Sequence, residues 1–275
     1  MKEGKLYVCP TPIGNLEDIT FRVLNTLKEV DLIAAEDTRH TIKLLNHYGI
    51  KKPLTSYHEH NVREKGPELI DRLKAGESIA LVSDAGMPGI SDPGEDLIKL
   101  AIEEGIEVIA LPGPTASITA LVVSGLPTDK FVFEGFLSSK RKQRKEELSS
   151  LKEEKRTIII YESPYRVLET LDDILDVLGN RNIALVRELT KVYEEVFRGT
   201  IQEAIEKFSK DKIRGEFCLI LEGCKVEEEA DIDIEKELRR YLEKGFSKKE
   251  SVKKVVKEFN LPKNLVYHKS LEIDK

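Results

Sequence analysis

Short segments rich in glycine, proline and ionisable residues follow several apolar runs of this sequence. The longest is Ser83–Gly94, SDAGMPGISDPG, which comes directly after the apolar run Ile79–Val82. Its glycines and prolines end a strand and let the backbone approach a ligand closely, and Asp84 either contacts that ligand or caps the loop. Most loops between a strand and a helix need only about 2–6 residues. The segment therefore predicts a binding loop, with an ordinary connecting turn as the alternative.

Further irregular segments follow other predicted strands, and we expect them to meet Ser83–Gly94 in space. They are Pro10–Gly14, Glu36–Arg39, His58–Asn61 and Pro112–Thr115. Loops at the carboxyl ends of parallel strands share one edge of a sheet, which is where such folds bind ligands. Together these loops predict one cleft.

The ionisable residues of these loops allow more than one interpretation. His58 and His60 would lie on one face of a strand, as metal ligands can. A zinc site needs three or four donors, and no cysteine or further histidine supports these two, so we predict polar or substrate-facing histidines and no metal. Glu36 and Asp37 beside Arg39 are either part of the site or a structural ion pair.

The elements that must position these loops alternate between short apolar runs and amphipathic helices up to about residue 115. This alternation predicts βαβ units and a parallel sheet in an N-terminal α/β domain, residues 1–115. Residues 116–225 have more closely spaced strands and fewer helices, which predicts a second α/β domain with a mixed sheet. An acidic linker, Glu227–Glu229, then leads to a small basic helical unit at residues 231–275 that is similar to a helix-turn-helix module.

Length, charge and cysteine content exclude several classes of protein. The chain has 275 residues and a net charge of −6, so any site for a polyanion has to be local. Three scattered cysteines, no signal-peptide core and no apolar run of membrane length indicate a soluble cytoplasmic protein. Neither G-x-G-x-x-G nor a P-loop is present, so a dinucleotide or nucleotide triphosphate site loses its main support.

Two basic segments could supply a local site for nucleic acid. Lys140–Lys145 places five positive residues in six positions, and the stretch Lys248–Lys269 holds seven lysines against two glutamates. Such a helix face is usually only solvated, but the first run follows a predicted strand end, so phosphate contact is an equally good interpretation. The candidate nucleic-acid-binding residues are Lys140, Arg141, Lys142, Arg144, Lys145, Lys253 and Lys254.

A series of motifs spans about residues 6 to 222 of the chain. In chain order they are TPIGNLEDIT (Thr11–Thr20), AEDTRHT (Ala35–Thr41), SYHEHN (Ser56–Asn61), SDAGMPGISDPG (Ser83–Gly94), LPGPTA (Leu111–Ala116), FVFEGFL (Phe131–Leu137), YESPYR (Tyr161–Arg166), RELTKVYEEVFRG (Arg187–Gly199) and GEF (Gly215–Phe217). They resemble the tetrapyrrole methylase superfamily, the S-adenosylmethionine (SAM) methyltransferases with two α/β domains around a cleft. Within it, the sequence is similar to the ribosomal RNA small subunit methyltransferase I family. Met87 and Thr115 depart from the expected Thr and Ser.

The resemblance implies an activity, a cofactor and partners. The implied reaction is 2′-O-methylation of a cytidine ribose in the decoding region of 16S ribosomal RNA in the 30S subunit. The implied enzyme is a homodimer that binds SAM in the cleft, where glycine and proline loops admit the adenosine and methionine parts and a carboxylate suits the sulfonium. The implied SAM-binding residues are Pro12, Asp84, Gly86, Met87, Pro88, Thr115, Ala116, Ser117, Tyr161 and Glu216.

The implied reaction needs a group that assists a poorly acidic ribose hydroxyl, either a base or a positive charge near the oxygen. The candidates in the predicted cleft are Glu36, Arg39, His58 and His60. Two other functions remain open: a methyltransferase of the same superfamily that acts on a tetrapyrrole, and a non-catalytic regulator that binds nucleic acid. The basic segments argue against the first, and the net charge of −6 with several converging loops argues against the second.

Overall fold

The computed structural model describes residues 4–210, 213–225, 233–259 and 261–273. The chain forms two compact units, Met1–Cys224 and Lys225–Lys275. The predicted acidic linker Glu227–Glu229 lies outside the described residues. In the described ranges, no helix has the length and apolar character needed to cross a membrane.

The first sheet is five-stranded and entirely parallel, as predicted, with the strand order β3-β2-β4-β1-β5. Its central strands read LIAA and IALV and are buried on both faces, which is typical of parallel sheets. In chain order the strands are β1 (Lys5–Val8), β2 (Leu32–Ala35), β3 (Leu54–Ser56), β4 (Ile79–Val82) and β5 (Glu107–Ala110).

Helices cover both faces of the first sheet, and each buries one apolar stripe. One hydrophobic core contains Leu69 and Leu97, and the core on the other face contains Val23 and Leu27. The helices are α1 (Phe21–Glu29), α2 (Thr38–His47), α3 (Val62–Lys74) and α4 (Glu95–Glu103).

The second sheet is also five-stranded, with the strand order β6-β7-β10-β8-β9. β6 and β7 are parallel and the other pairs antiparallel, so the predicted mixed sheet is confirmed. Its strands are β6 (Phe131–Phe136), β7 (Thr157–Glu162), β8 (Asn182–Arg187), β9 (Glu195–Thr200) and β10 (Phe217–Leu221). Its helices are α5 (Ala116–Ser124), α6 (Arg141–Ser150), α7 (Val167–Leu178) and α8 (Ile201–Phe208).

Helix α5 packs against the second sheet, since Ala120 and Leu121 share a core with Ile159 and Ile220. The chain therefore passes from the first sheet to the second at the segment just before Ala116. The predicted fold class, two α/β sheets with an additional helical part, is confirmed.

The described residues of the C-terminal unit form three helices around a small core of their own, which includes Leu238, Val255 and Val266. They are α9 (Ile234–Glu243), α10 (Lys248–Phe259) and α11 (Lys263–Glu272). The helical region that the sequence predicts in this part of the chain is therefore present.

Candidate active site

A cavity of about 510 Å³ lies between the strand-end loops of the first sheet and the strands of the second. That volume is within the range of small-molecule sites. Of the irregular loops that the sequence predicts to converge, those after β1, β2, β4 and β5 contribute lining residues: Ile13, Glu36, Asp84 and Thr115. The loop after β3, which is one of the two edge strands, contributes none.

The segment Ser83–Gly94 is held in place by the loop after β1. Thr11 and Gly86 exchange backbone hydrogen bonds of 2.9 and 3.0 Å, and the Thr11 hydroxyl donates to the Ser83 carbonyl at 3.0 Å. Gly86 has φ +85°, a conformation that favours glycine. The TPIG motif therefore braces the loop that forms one side of the cavity.

Three carboxylates, Glu36, Asp84 and Asp92, line the first-sheet side of the cavity, which we call the acidic wall. The Asp84 backbone N–H donates to Glu36 Oε2 at 3.2 Å, and the Asp37 backbone N–H donates to Asp84 Oδ1 at 3.2 Å. These two bonds fix the loops after β2 and β4 against each other. Both carboxyl groups thereby keep a defined orientation.

Asp92 has the most perturbed acidity of the three. Burial, and then repulsion from Glu36, raise its pKa to about 7, although a hydrogen bond from Ser83 opposes this. Burial also raises the pKa of Glu36. A carboxylate with a pKa near 7 can accept a proton at neutral pH and is a candidate general base.

Asp92 was not among the individual residues predicted for the site, although it lies within the predicted binding loop Ser83–Gly94. In the structure Gly94 is the N-cap of α4, so Asp92 has no capping role there. The preceding Ser91 has φ +63°, which is uncommon for a residue with a side chain. Such conformations concentrate at functional sites, and this one belongs to the turn that brings Asp92 to the cavity.

Aromatic side chains, Phe136 and Tyr161, line the second-sheet side, which we call the aromatic wall. The Ser117 backbone N–H donates to the Tyr161 hydroxyl at 3.0 Å, and burial raises the pKa of Tyr161. Phe133 packs edge-on against Tyr161 with ring centroids 5.0 Å apart. Tyr161 is therefore a neutral, rigidly held group at neutral pH.

A charged cluster closes the cavity beside the aromatic wall. Lys191 Nζ donates to Glu188 Oε1 at 2.9 Å and to Glu216 Oε2 at 3.0 Å, and all three residues line the cavity. The Thr190 hydroxyl accepts a 3.0 Å hydrogen bond from the Asn15 backbone N–H, which ties this loop to the first sheet. A Cβ on Gly14 would lie 2.7 Å from that hydroxyl, so the close approach requires glycine.

Most of the predicted SAM-binding residues lie together in the cavity lining. These are Asp84, Gly86, Met87, Thr115, Ala116, Ser117, Tyr161 and Glu216. Pro12 and Pro88 are buried and are not part of the lining, so they shape the loops instead. The residues that line the cavity fit SAM, because the carboxylates suit a sulfonium cation and the glycine-rich loop leaves room for backbone contacts.

Of the predicted catalytic residues, the structure brings Glu36 to the cavity but not Arg39, His58 or His60. Arg39 is in the first turn of α2, its side chain is 88% exposed, and it pairs with Asp37 at 2.7 Å. That pair decides between the two interpretations of this segment: Asp37 and Arg39 form a structural ion pair, and Glu36 belongs to the site. His58 and His60 contact each other beyond the edge strand, with ring centroids 6.0 Å apart.

The basic run Lys140–Lys145 is not a uniform RNA-binding face. Arg144 is completely buried and pairs with the buried Asp173 on α7 at 2.7 Å, so its prediction as an RNA contact is corrected to a structural role. Arg141 also bonds Asp173, at 2.9 Å, and Lys145 bonds Asp176 at 2.7 Å. Lys140 and Lys142 stay exposed.

The two predicted RNA contacts in the C-terminal unit are on the outer face of α10. Lys253 and Lys254 are both exposed. Lys254 lies over the Phe246 ring with its ammonium 4.4 Å from the centroid. This face therefore combines positive charge with an aromatic surface.

In the part of the chain that the structure describes, no group of three or more His, Cys, Asp and Glu side chains is placed to hold a metal ion.

Comparison with known proteins identifies the family. The family model described as tetrapyrrole (corrin/porphyrin) methylases matches residues 5–205. A protein of Halalkalibacterium halodurans named ribosomal RNA small subunit methyltransferase I is 53% identical over 272 residues, covering 97% of this chain and 94% of that relative. The chain belongs to the ribosomal RNA small subunit methyltransferase I family of the tetrapyrrole methylases. The family expected from the motifs is therefore confirmed, and with it the use of SAM as cofactor.

A second methyltransferase I relative, from Thermotoga maritima, is 54% identical over 220 residues, which are 80% of this chain and 99% of that relative. It is thus about as long as the first unit alone. Among solved structures, the uroporphyrin-III C-methyltransferase of Thermus thermophilus complexed with S-adenosyl homocysteine matches with a TM-score of 0.55 and 19% identity. It covers 80% of this chain and 97% of that chain, which confirms the tetrapyrrole methylase fold.

Proposed function

We propose that this methyltransferase transfers a methyl group from SAM to the ribose 2′-oxygen of a cytidine in the decoding region of small-subunit ribosomal RNA. The observation that carries the proposal is the cavity in which a carboxylate cluster faces aromatic side chains, in a chain about half identical to methyltransferase I relatives. The acidic wall suits a cationic donor and a proton-releasing acceptor. The aromatic wall suits a nucleoside.

Different residues of the cavity have different roles in this reaction. When bound, SAM supplies an activated methyl group. Asp84 and Glu36, locked by their backbone hydrogen bonds, provide negative charge for the sulfonium. Asp92 accepts the proton of the 2′-hydroxyl while the oxygen–methyl bond forms and the carbon–sulfur bond breaks, leaving S-adenosylhomocysteine and a protonated carboxyl. Holding the reacting atoms about 3–3.5 Å apart supplies much of the acceleration.

The RNA partner is proposed to be the 30S subunit, bound through exposed positive charge outside the cavity. Lys140 and Lys142 on the first unit and Lys253 and Lys254 on the second are exposed and fit phosphate contact. The enzyme is proposed to act in the cytoplasm as a homodimer. Exposed apolar side chains on α5, with Val122 70% exposed, support an apolar interface for a second copy.

The test is transfer of labelled methyl from SAM to 30S particles that lack decoding-region methylation, followed by nuclease mapping of the modified nucleotide. We expect label on one cytidine 2′-oxygen. Label on a base would refute the ribose as acceptor. Absence of label on RNA, together with label on an added tetrapyrrole, would replace the proposal with the alternative function.

A further inference from the structure

Strand β6 contains an irregularity that changes which face its last residue occupies. Its pairing with β7 is regular as far as Phe133 opposite Ile159, and then shifts so that Gly135 is opposite Ile160 and Phe136 is opposite Tyr161. Glu134 is therefore an extra residue, a β-bulge. Side chains alternate between the faces of a sheet, so one inserted residue moves every later side chain to the other face.

The bulge places Phe136 on the cavity side of the sheet. Phe133 and Tyr161 both belong to the face that packs on α5, whereas Ile160 belongs to the core on the opposite face. In an unbroken ladder Phe136 would stand opposite Glu162, the neighbour of Tyr161 on the other face. With the bulge, its ring lies 5.6 Å from the Tyr161 ring and lines the cavity.

Phe136 remains 56% exposed in this position, so one side of its ring faces the open cavity. The bulge lies against the turn that carries Asp92. Gly135 has φ +64°, and a Cβ there would lie 3.1 Å from the Ser91 hydroxyl. The position of this exposed ring is set by the bulge and is not explained by the packing of the core, and its free face is available to a ligand in the cavity.

A second exposed aromatic stands beside the same strand end. Tyr165 is 94% exposed, and its neighbour Arg166 donates to the Leu137 carbonyl at 3.2 Å and to Glu162 Oε1 at 2.9 Å. Those bonds tie the Tyr165 turn to the end of β6. Just beyond that end the chain continues into the exposed Lys140 and Lys142.

Aromatic rings next to exposed lysines are the combination that proteins use for unstacked nucleotides, with the base on the ring and the phosphates on the cations. We propose that Phe136 stacks on the base of the target nucleotide and so positions its ribose against Asp92. This inference rests on the proposed function. Phe136 acts as a positioning residue, and its ring face is the feature that the acceptor base recognises.

The test compares Phe136→Leu, Phe136→Tyr and the control Phe131→Leu, which changes an exposed phenylalanine at the other end of β6. Each is measured for KM and kcat of methyl transfer to 30S particles and for SAM affinity by calorimetry. We expect Phe136→Leu to raise KM for 30S about 10- to 100-fold with SAM affinity unchanged, since a stacked base contributes this much. We expect both Phe136→Tyr and the control Phe131→Leu to keep the wild-type KM for 30S particles.

Several results would overturn the inference while the wild-type enzyme still methylates ribose. One is an unchanged KM in Phe136→Leu. Another is a loss of SAM affinity in Phe136→Leu, which would assign the ring to the donor's adenine. A thermal melt equal to that of wild type shows that the variant is folded. If the wild-type enzyme does not methylate 30S particles at all, the proposed function fails instead.

Discussion

The acidic wall and the aromatic wall of the cavity stand on sheets of different kinds. The acidic wall is made of loops that leave the ends of an all-parallel sheet, where backbone N–H groups and carboxylates of separate loops bond each other. The aromatic wall is made of side chains on the strands of a mixed sheet. Loops can gather like charges in a fixed arrangement, and a sheet face offers a flat apolar surface. We therefore assign the sulfonium of the donor and the proton to the first wall, and the acceptor base to Phe136 on the second, where Tyr161 remains a predicted SAM contact.

The largest effect that this division predicts is on the proton acceptor. Asp92→Asn keeps the shape of the side chain but cannot accept a proton, so we expect turnover to fall about 10²- to 10⁴-fold. Wild-type turnover should rise with pH through about 7 and then level off, because Asp92 must lose its proton to act. Rapid-quench methyl transfer across the pH range measures both. Asp96→Asn, an exposed aspartate on α4, is the matched control.

The same variant gives a readout that does not depend on activity. The folded-state pKa of Asp92 is raised from 3.8 to about 7, so its charge opposes folding increasingly as pH rises between those values. Asp92→Asn should therefore gain melting temperature relative to wild type as pH rises from 4 to 8. A pH-independent difference in melting temperature would contradict the burial of this carboxylate.

The face of the second sheet opposite the aromatic wall is tested by the buried Arg144–Asp173 pair, which joins α6 to α7. Arg144→Met leaves the buried Asp173 short of a partner and should lower the free energy of unfolding by about 3 kcal/mol. Denaturant unfolding measures this, and Arg144→Met with Asp173→Leu should recover most of the loss. Lys142→Met, at a side chain that is 90% exposed, should change stability little. Equal stability of the Arg144 and Lys142 variants would refute the structural role.

Glu36 lines the acidic wall of the cavity, whereas Arg39, three residues later, lies on the surface. Glu36→Gln keeps an oxygen for the Asp84 N–H but removes a negative charge, so we expect turnover to fall about 10-fold, the effect of roughly 1.4 kcal/mol. Arg39→Ala breaks only an exposed pair with Asp37 and should stay near wild type. Steady-state kinetics on 30S particles compare the two. A larger loss of turnover for Arg39→Ala than for Glu36→Gln would show that Arg39 takes part in the reaction.

The smallest effect concerns exposed charge beside the aromatic wall. Lys142→Ala should reduce the slope of log affinity against log salt concentration by about 1, if Lys142 contacts one phosphate. Filter binding of 30S particles at several salt concentrations measures the slope. An unchanged slope would show that Lys142 is only solvated.

The sequence located the loops of the site well because their signals are local. Apolar runs such as Ile79–Val82 stop at glycine and proline, and parallel strands bring the loop ends to one edge. Arg39 was misplaced although a local signal existed. Asp37 is a good N-cap, which starts α2 at Thr38 and turns Arg39 outward.

Other residues depend on contacts that are distant in the sequence. The position of Asp92 requires the left-handed Ser91, and the burial of Arg144 requires Asp173 on another helix. Neither is visible in composition or spacing. Phe136 had only a partial signal: Gly135 lies inside the observed strand β6, where a glycine often marks a bulge, but only the register shows which face the bulge selects.

The division between the walls is tested most directly by calorimetric titration of SAM into two variants, Asp84→Asn and Phe136→Leu. Asp84 lies on the acidic wall, and the loss of its charge should weaken SAM binding about 100-fold. Phe136→Leu should bind SAM with wild-type affinity. If Asp84→Asn binds SAM normally, or if both variants lose SAM affinity to the same extent, the assignment of donor and acceptor to separate walls is wrong.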